Sequence, residues 1–119
     1  MPEETVQTGL SDNAAGGLAY VTIIPAIIFL AIAPYNRSSF VRFHAWQSIF
    51  LTIFYIVIDV ALHVFLRVIP FMGLMALALY PLLALAMFII WVFVMLKAFN
   101  GQRVRLPIIG QLAEKQANA

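Results

Sequence analysis

Three long stretches of this chain are strongly apolar, and each is at least as long as a membrane-spanning helix. They cover residues 14–33, 39–69 and 72–96. A hydrocarbon core of about 30 Å is crossed by about 20 helical residues, because each residue advances the helix axis by about 1.5 Å. Backbone groups inside lipid must be hydrogen-bonded internally, which a helix achieves on its own. The sequence therefore predicts an all-α integral membrane protein.

The composition supports this prediction and excludes several other classes of protein. The chain is 64% hydrophobic and 10% charged, whereas soluble domains carry about 25% charged residues. It has no cysteine, which excludes disulfides, thiolate metal sites and thiol nucleophiles. The net charge of +2 is too small to indicate a nucleic acid partner. The expected surroundings of most of the chain are the lipid bilayer.

We predict a three-helix bundle, residues 14–99, between two polar ends. Its spans are expected at about 14–33, 46–66 and 72–96. The stretch 39–69 is longer than one crossing requires, so its first residues, in FVRFHAWQS, are expected to form an interfacial amphipathic segment before the second span. Residues 1–13 form a polar N-terminal tail. Residues 100–119 form a cytoplasmic tail, with a short amphipathic helix in LPIIGQLAEK.

The basic residues predict an orientation for such a bundle. With three spans, the turn at 34–45 and the C-terminal tail lie on one side, and the N-terminus lies on the other. Six basic residues then share the first side: Arg37, Arg42, Lys97, Arg103, Arg105 and Lys115. Arg67 is left on the opposite side. Because Lys and Arg accumulate in cytoplasmic loops, the C-terminus is expected in the cytoplasm and the N-terminus outside.

A polar stripe runs along the second span. Ser48, Thr52, Tyr55, Asp59 and His63 follow one another at spacings of three or four residues, within an arc of about 80° on one helix. A carboxylate near the centre of a span costs about 2.5 to 3.5 kcal/mol, so Asp59 should face the bundle or a wet cleft and pair with His63. Two interpretations remain open. The stripe is a proton or ion relay or a substrate groove, or it is a hydrated structural pair whose hydroxyl neighbours bond across helices.

The sequence shows no motif of a catalytic site. It has no nucleophile elbow, HExxH motif, phosphate-binding glycine loop or carboxylate pair, so we predict neither an enzyme nor a bound cofactor. His44 leaves one alternative open, because a histidine at the membrane boundary is able to ligate haem or chlorophyll. His63 lies near the opposite face and is not a paired ligand at the same depth. An interfacial or hydrogen-bonding role for His44 is therefore preferred.

Two motifs resemble a known family. FVRFHAWQS at 40–48 and KAFNGQRVRLPIIGQLAEK at 97–115 are similar to the uncharacterised Tic-twenty-like family of small bacterial membrane proteins, named for a chloroplast inner-envelope import component and also containing magnetosome membrane proteins. The resemblance covers nearly the whole chain beyond the first span, and it implies a helical protein of the bacterial inner membrane. It also implies two cytoplasmic signatures: Arg42, His44, Trp46 and Gln47, then Lys97, Gly101, Leu106, Pro107 and Gly110. The plastid relatives have four spans and this chain has room for three, so a channel within one copy is not expected.

The resemblance and the residues together favour a non-enzymatic membrane scaffold or accessory subunit of a larger membrane assembly. The tail helix is expected to pack back on the start of the second span and to complete a surface for membrane protein partners or lipid headgroups. That surface comprises Arg42, Trp46, Gln47, Arg103, Arg105 and Pro107. One alternative is an oligomeric transport or protein-translocation component that uses the polar stripe. Another is a pigment- or haem-associated subunit of an electron-transfer complex, through His44.

Overall fold

The computed structural model describes residues 10–118. Residues 1–9 of the predicted N-terminal tail, and Ala119, lie outside the described residues. The elements are α1 (Asp12–Leu18), α2 (Ile23–Ala31), a 3₁₀ turn (Tyr35–Arg37), α3 (Ser39–Val68), α4 (Gly73–Phe99) and α5 (Ile109–Ala117). No strand occurs between residues 10 and 118, which agrees with the all-α prediction.

The predicted first span is not one helix. At Thr22 the backbone is extended (φ −148°, ψ 177°), and its hydroxyl oxygen accepts a hydrogen bond from the amide of Ile24 at 3.3 Å. This is how a side chain caps the first turn of a new helix. Pro25 has no N–H, so in a continuous helix it would leave the carbonyl of Val21 without its donor. The prediction of a continuous span at 14–33 is therefore wrong, and the segment forms α1 and α2.

The two short helices form a hairpin that returns to the end of the molecule where it began. Before α1, the amide of Leu10 donates to the hydroxyl oxygen of Tyr35 at 2.9 Å. The tip of the hairpin, at Tyr20, lies beside Trp91 of α4. The chain from Leu10 onward thus starts beside the turn at 34–45. The prediction that these two regions lie on opposite sides is wrong, because the helix break reverses the chain before it crosses.

Within residues 10–118, two helices are long and apolar enough to cross a membrane, α3 and α4. The interfacial segment and the second span, predicted within 39–69, form one continuous helix, α3. Ser38 caps this helix by accepting from the amide of Val41 at 3.2 Å. Few apolar side chains of α3 and α4 are buried and many are exposed, as is expected of helices that face lipid. The fold is thus two long helices with a short hairpin, in place of the predicted three-span bundle.

The hairpin lies against the start of α3 and the end of α4, with α1 in contact with both long helices. Two glycines allow this close approach. A Cβ on Gly16 would lie 2.7 Å from Cε1 of Phe40, and a Cβ on Gly17 would overlap the ring of Phe99. Both approaches are too close for a real Cβ atom, so α1 reaches this position only because glycine stands at residues 16 and 17.

The tail returns along α3 before its helix begins. At the start of α5, Ile109 packs in a buried cluster with Leu51. At its end, Ala117 packs on Phe43. Leu51 lies eight residues after Phe43, or about 12 Å further along α3, so α5 runs antiparallel to the first part of that helix. The prediction that the tail helix packs back on the start of the second span is confirmed.

Candidate functional site

Most of the predicted signature residues lie in one packed end of the molecule, residues 10–47 and 97–118, which we call the platform. At its centre Tyr20, His44 and Gln47 are buried, with exposed fractions of 1%, 0% and 0%. The hydroxyl oxygen of Tyr20 lies 2.7 Å from His44 Nδ1, and Gln47 Nε2 donates to the same oxygen at 2.8 Å. Tyr20 comes from the hairpin tip, and the other two come from one face of α3. A buried polar network therefore joins the hairpin to α3.

The same two side chains of α3 hold the backbone of the tail. His44 Nε2 lies 3.0 Å from the carbonyl oxygen of Gln102. Gln47 Nε2 donates to the carbonyl of Val104 at 2.9 Å, and Gln47 Oε1 accepts from the amide of Leu106 at 3.1 Å. The alternation of the bonded residues fits an extended chain, in which every second residue faces the same way. Irregular backbone inside a packed protein needs such partners, so these side chains make the return of the tail possible.

These contacts fix the protonation of His44. A carbonyl oxygen only accepts, so Nε2 carries the ring hydrogen and Nδ1 accepts from the Tyr20 hydroxyl. Burial raises the pKa of the Tyr20 phenol above its usual value, so the hydroxyl keeps the proton that it donates. Both ring nitrogens of His44 are thus used within the fold. A haem or chlorophyll bound to His44 would have to displace one of these two partners.

Arg42, predicted as a surface residue, holds the end of the tail. Its Nε donates to the carbonyl of Ala117 at 2.8 Å, and its Nη1 donates to the carbonyl of Asn36 at 3.0 Å. A cation at a helix C-terminus satisfies the last carbonyls and interacts favourably with the helix dipole. Arg42 therefore ties α5 to the turn before α3.

The other two predicted arginines also bond within the platform. Arg103 Nη2 donates to the hydroxyl oxygen of Ser39 at 2.8 Å, and its guanidinium lies 5.8 Å from the ring centroid of Phe43. Arg105 forms an ion pair with Glu114 at 2.7 Å, and 60% of the Arg105 side chain is exposed. Exposed pairs contribute about 0 to 1 kcal/mol to stability, so this pair marks a wet surface more than it holds the fold together.

Trp46 lies on the inner side of α5, and Pro107 lies just before this helix begins. The Trp46 ring stacks on Phe50 with 5.5 Å between centroids, and both rings pack on the buried face of α5. Pro107 is exposed, and its carbonyl accepts from the amide of Ile109 in the turn that starts α5. Of the predicted surface residues, Trp46 and Arg42 thus contact α5 directly, Gln47 is fully buried, and Arg105 and Pro107 are exposed.

The structure divides the predicted polar stripe into two parts. Ser48, Thr52 and Tyr55 line a cleft of about 280 Å³ between α3 and α4, above the hairpin tip. Aromatic and apolar side chains form the rest of its wall: Tyr20, Val21, Leu51, Met87, Phe88 and Trp91, with Thr22 and Ala84. Asp59 and His63 do not line this cleft. The stripe is therefore not one continuous groove.

Asp59 and His63 form a separate pair further along α3. His63 Nδ1 lies 2.8 Å from the Asp59 carbonyl oxygen and 3.6 Å from its carboxylate Oδ2. The His63 ring stacks on Tyr80 of α4, with 4.3 Å between centroids. The two side chains are thus neighbours, as predicted, and both are partly exposed, Asp59 at 39% and His63 at 47%. Across residues 10–118 no group of three or more potential metal ligands comes together.

Two residues that the sequence did not single out complete the platform. Tyr20 is the third member of the buried network, and Trp91 Nε1 donates to the Tyr20 carbonyl at the hairpin tip. A signal for both was present, because buried Tyr and Trp side chains need a hydrogen-bond partner. Tyr20 is the single polar aromatic residue in the run 14–33.

Comparison with known proteins agrees with a membrane protein. A UPF0132 membrane protein of Archaeoglobus fulgidus is 35% identical over 108 residues, which cover 90% of this chain and 96% of that protein. A UPF0132 membrane protein of Methanocaldococcus jannaschii is 37% identical over 108 residues, with 90% of this chain and 89% of that protein covered. No solved structure matches.

A family model identifies the group to which the chain belongs. The model described as the magnetosome magnetite crystal formation protein family matches residues 11–113, which run from the residue before α1 into α5. This match supports the magnetosome part of the resemblance seen in the sequence, and the comparisons give no support to the Tic-twenty part. The relatives and the two long apolar helices show that the chain is a membrane protein, and the family match shows that it belongs to the magnetosome magnetite crystal formation protein family.

Proposed function

We propose that this protein is a non-enzymatic membrane scaffold or accessory subunit, whose platform docks partners of a larger membrane assembly. The observation that carries the proposal is the fixed tail. Side chains of His44, Gln47 and Arg42 bond the backbone at 102–106 and at Ala117. A segment fixed in this way loses less conformational entropy when a partner binds, which favours binding.

The proposed docking surface is the outer face of α5 and the turn before it. The inner face carries the buried residues Ile109, Gly110, Ala113 and Ala117. Ile108 is 71% exposed and Leu112 is 48% exposed. The exposed positions recur at helical spacing: Ile108, Gln111, Leu112, Lys115 and Gln116. A partner protein would bury the apolar side chains of this surface and pair an acidic group with its lysine.

A structural role for the buried network supports the non-enzymatic part of the proposal. Both nitrogens of His44 and the amide groups of Gln47 have partners within the fold, so the network holds backbone in place. The family is described by magnetite crystal formation, and the proposal assigns no iron-binding step to this chain. A scaffold would act on such a process by assembling other proteins at the membrane.

We infer that the platform faces the cytoplasm, in the cytoplasmic membrane. The six basic residues that predicted the orientation all belong to the platform or its edge, and Arg67 lies at the far end of α3. The hairpin adds no charge between residues 14 and 33, so its return does not alter this asymmetry. The described start of the chain then lies on the cytoplasmic side together with the C-terminus.

The docking proposal is tested with two matched charge reversals. Lys115→Glu alters the outer face of α5, and Arg37→Glu alters the exposed 3₁₀ turn, with the same change of charge. We expect Lys115→Glu to reduce copurification of partners from native membranes by about tenfold, which corresponds to about 1.4 kcal/mol. Arg37→Glu should leave copurification unchanged.

Each other outcome contradicts the docking surface. An equal loss in both variants would indicate general attraction to acidic lipids, which is about 1 kcal/mol for each basic residue. No loss in either variant would mean that partners bind elsewhere. Truncation after Gln102 is a poorer test, because it also removes the partners of the buried Gln47 side chain.

A second function, oligomeric transport or translocation, is favoured by the cleft that Ser48, Thr52 and Tyr55 line. Hydroxyl groups in an otherwise apolar cleft are able to bind a polar solute as it crosses. In proteoliposomes, this function predicts a solute flux that Thr52→Val or Tyr55→Phe reduces while the fold is retained, because each change removes a hydroxyl from the cleft. Absence of flux from the unaltered protein would exclude it.

A further inference from the structure

We propose that two copies of this chain associate inside the membrane through the face of α3 that carries Asp59 and His63. In this arrangement Asp59 of each copy pairs with His63 of the other. The inference goes beyond the proposed scaffold role, because it concerns the long helices and not the platform. It follows from the depth of the pair, from its exposure and from its chemistry.

The first step is the depth of Asp59 in the bilayer. Val104 and Leu106 both bond Gln47, so Arg105 between them lies at the level of Gln47. Because the Arg105 side chain is 60% exposed and paired with Glu114, this level belongs to the headgroups. The hydrocarbon then surrounds α3 from about residue 48 to its end at residue 68, a length of about 31 Å. Asp59 lies about 14 Å from that end, which is the middle of the membrane.

The second step is the exposure of the pair within one copy. The Asp59 side chain is 39% exposed and that of His63 is 47% exposed. Tyr80 covers one face of the imidazole. Lipid chains offer no hydrogen-bond donor, and an ionisable group facing them at this depth costs several kcal/mol. Another protein surface is needed to cover the carboxylate and to donate to it.

The third step identifies that surface as a second copy. His63 Nδ1 is bonded to the Asp59 carbonyl of its own chain, which leaves Nε2 for a partner. All copies insert in the same orientation, because the basic platform sets it. In two parallel helices with knobs-into-holes packing, a side chain at position i inserts into a hole on the facing helix, and the residues that form this hole include position i+4. Asp59 therefore lies beside His63 of the second copy, and two-fold symmetry forms the pair twice.

The neighbouring side chains suit such a contact. Ile56 and Val60 are 53% and 55% exposed and are apolar. They lie on the same side of α3 as His63, at about 100° per residue. Their packing would shield the two polar pairs from lipid. The contact is thus a pair of hydrogen-bonded groups within a rim of aliphatic side chains.

The experiment uses the absence of cysteine from the chain. Ile56→Cys places one thiol on the proposed contact face. Val57→Cys places it at nearly the same depth and exposure, 59% against 53%, but about 100° around the helix. After oxidation in native membranes, we expect a disulfide-linked dimer from Ile56→Cys and at least tenfold less from Val57→Cys. Equal cross-linking of the two, or none at Ile56→Cys, would overturn the proposal.

A second arm tests the polar pairing itself. Asp59→Leu, added to Ile56→Cys, should reduce the cross-linked fraction by about tenfold, since two interhelical hydrogen bonds are lost. Exchanging the pair, Asp59→His with His63→Asp, should restore cross-linking because the complementarity is kept. Unchanged cross-linking with Asp59→Leu, or no restoration by the exchange, refutes the pairing. The single-cysteine comparison on the otherwise unaltered chain decides the face even if these variants fold poorly. None of these readouts involves a platform partner, so the result is independent of the proposed function.

Discussion

Gln47 holds three separate parts of the platform together, so its removal is a direct test of how the platform is stabilised. The amide nitrogen donates to the Tyr20 hydroxyl and to the Val104 carbonyl, and the amide oxygen accepts from Leu106. Gln47→Ala removes all three bonds at once. It leaves the carbonyl of Val104 and the amide of Leu106 without their partners in a partly buried position.

The cost is worked out from these groups. A buried polar group left without a partner costs about 1 to 3 kcal/mol, and the lower end applies here because both backbone groups are only partly buried. The side chain of Gln47 is fully buried, so truncation also leaves a small cavity. We expect Gln47→Ala to lower the free energy of unfolding in mild detergent by about 2 to 4 kcal/mol.

The assay has a global and a local readout. Unfolding titrations give the change in free energy, and trypsin cleavage after Arg103 and Arg105 reports release of the tail. Gln111→Ala is the matched control, because Gln111 is exposed on α5 and its loss should change stability by about 0.5 kcal/mol or less. If Gln47→Ala and Gln111→Ala had the same unfolding energy and the same cleavage rate, the bonds from Gln47 would not hold the tail.

Two further predictions concern the hairpin and the topology. Gly17→Ala should destabilise the protein by about 1 to 3 kcal/mol, because the new methyl group overlaps the Phe99 ring. Most of this cost should disappear in a Phe99→Ala background. Unfolding titrations of the unaltered protein, the two single variants and the double variant test this prediction, and equal costs in both backgrounds would contradict it. Single cysteines at Leu10 and Asn118 should be protected from a membrane-impermeant maleimide in intact cells, whereas one at Phe71, which is fully exposed, should be labelled. Labelling at Leu10 but not at Asn118 would contradict the hairpin, because it would mean that the chain crosses the membrane an odd number of times between these residues.

The long helices and the tail were predictable because their signals are periodic and local. The Ser38 cap, the apolar run that follows it and the amphipathic tail each indicate a helix without knowledge of the rest of the fold. The break at Thr22 was missed because average hydropathy does not register a capping side chain or a proline. Thr22 is a helix-starting residue and Pro25 suits only the first turn of a helix, so the signal for two helices was present.

The candidate site was predictable in its residues more than in their roles. Arg42, His44 and Gln47 are predicted near the headgroups, and the role predicted for His44 is interfacial or hydrogen-bonding. Their partners are main-chain atoms of residues 102–106 and Ala117. Every residue type has the same carbonyl and amide groups, so no sequence pattern marks them. The burial of Gln47 follows only from the return of the tail, which is a contact between distant parts of the chain.

The contacts of the returning tail also impose an order on biosynthesis. The two long helices, α3 and α4, are completely synthesised once the chain reaches Phe99, and they are able to enter the bilayer from that moment. At that moment His44 and Gln47 have no partners from the tail, because residues 102–106 follow later in the chain. Until then, the short hairpin is bound to α3 by the Tyr20 hydroxyl and by the packing of α1 and α2 on α3. The nascent protein is therefore expected to pass through an inserted form with an open platform. This form closes only after synthesis of the tail, and meanwhile it is exposed to chaperones and proteases.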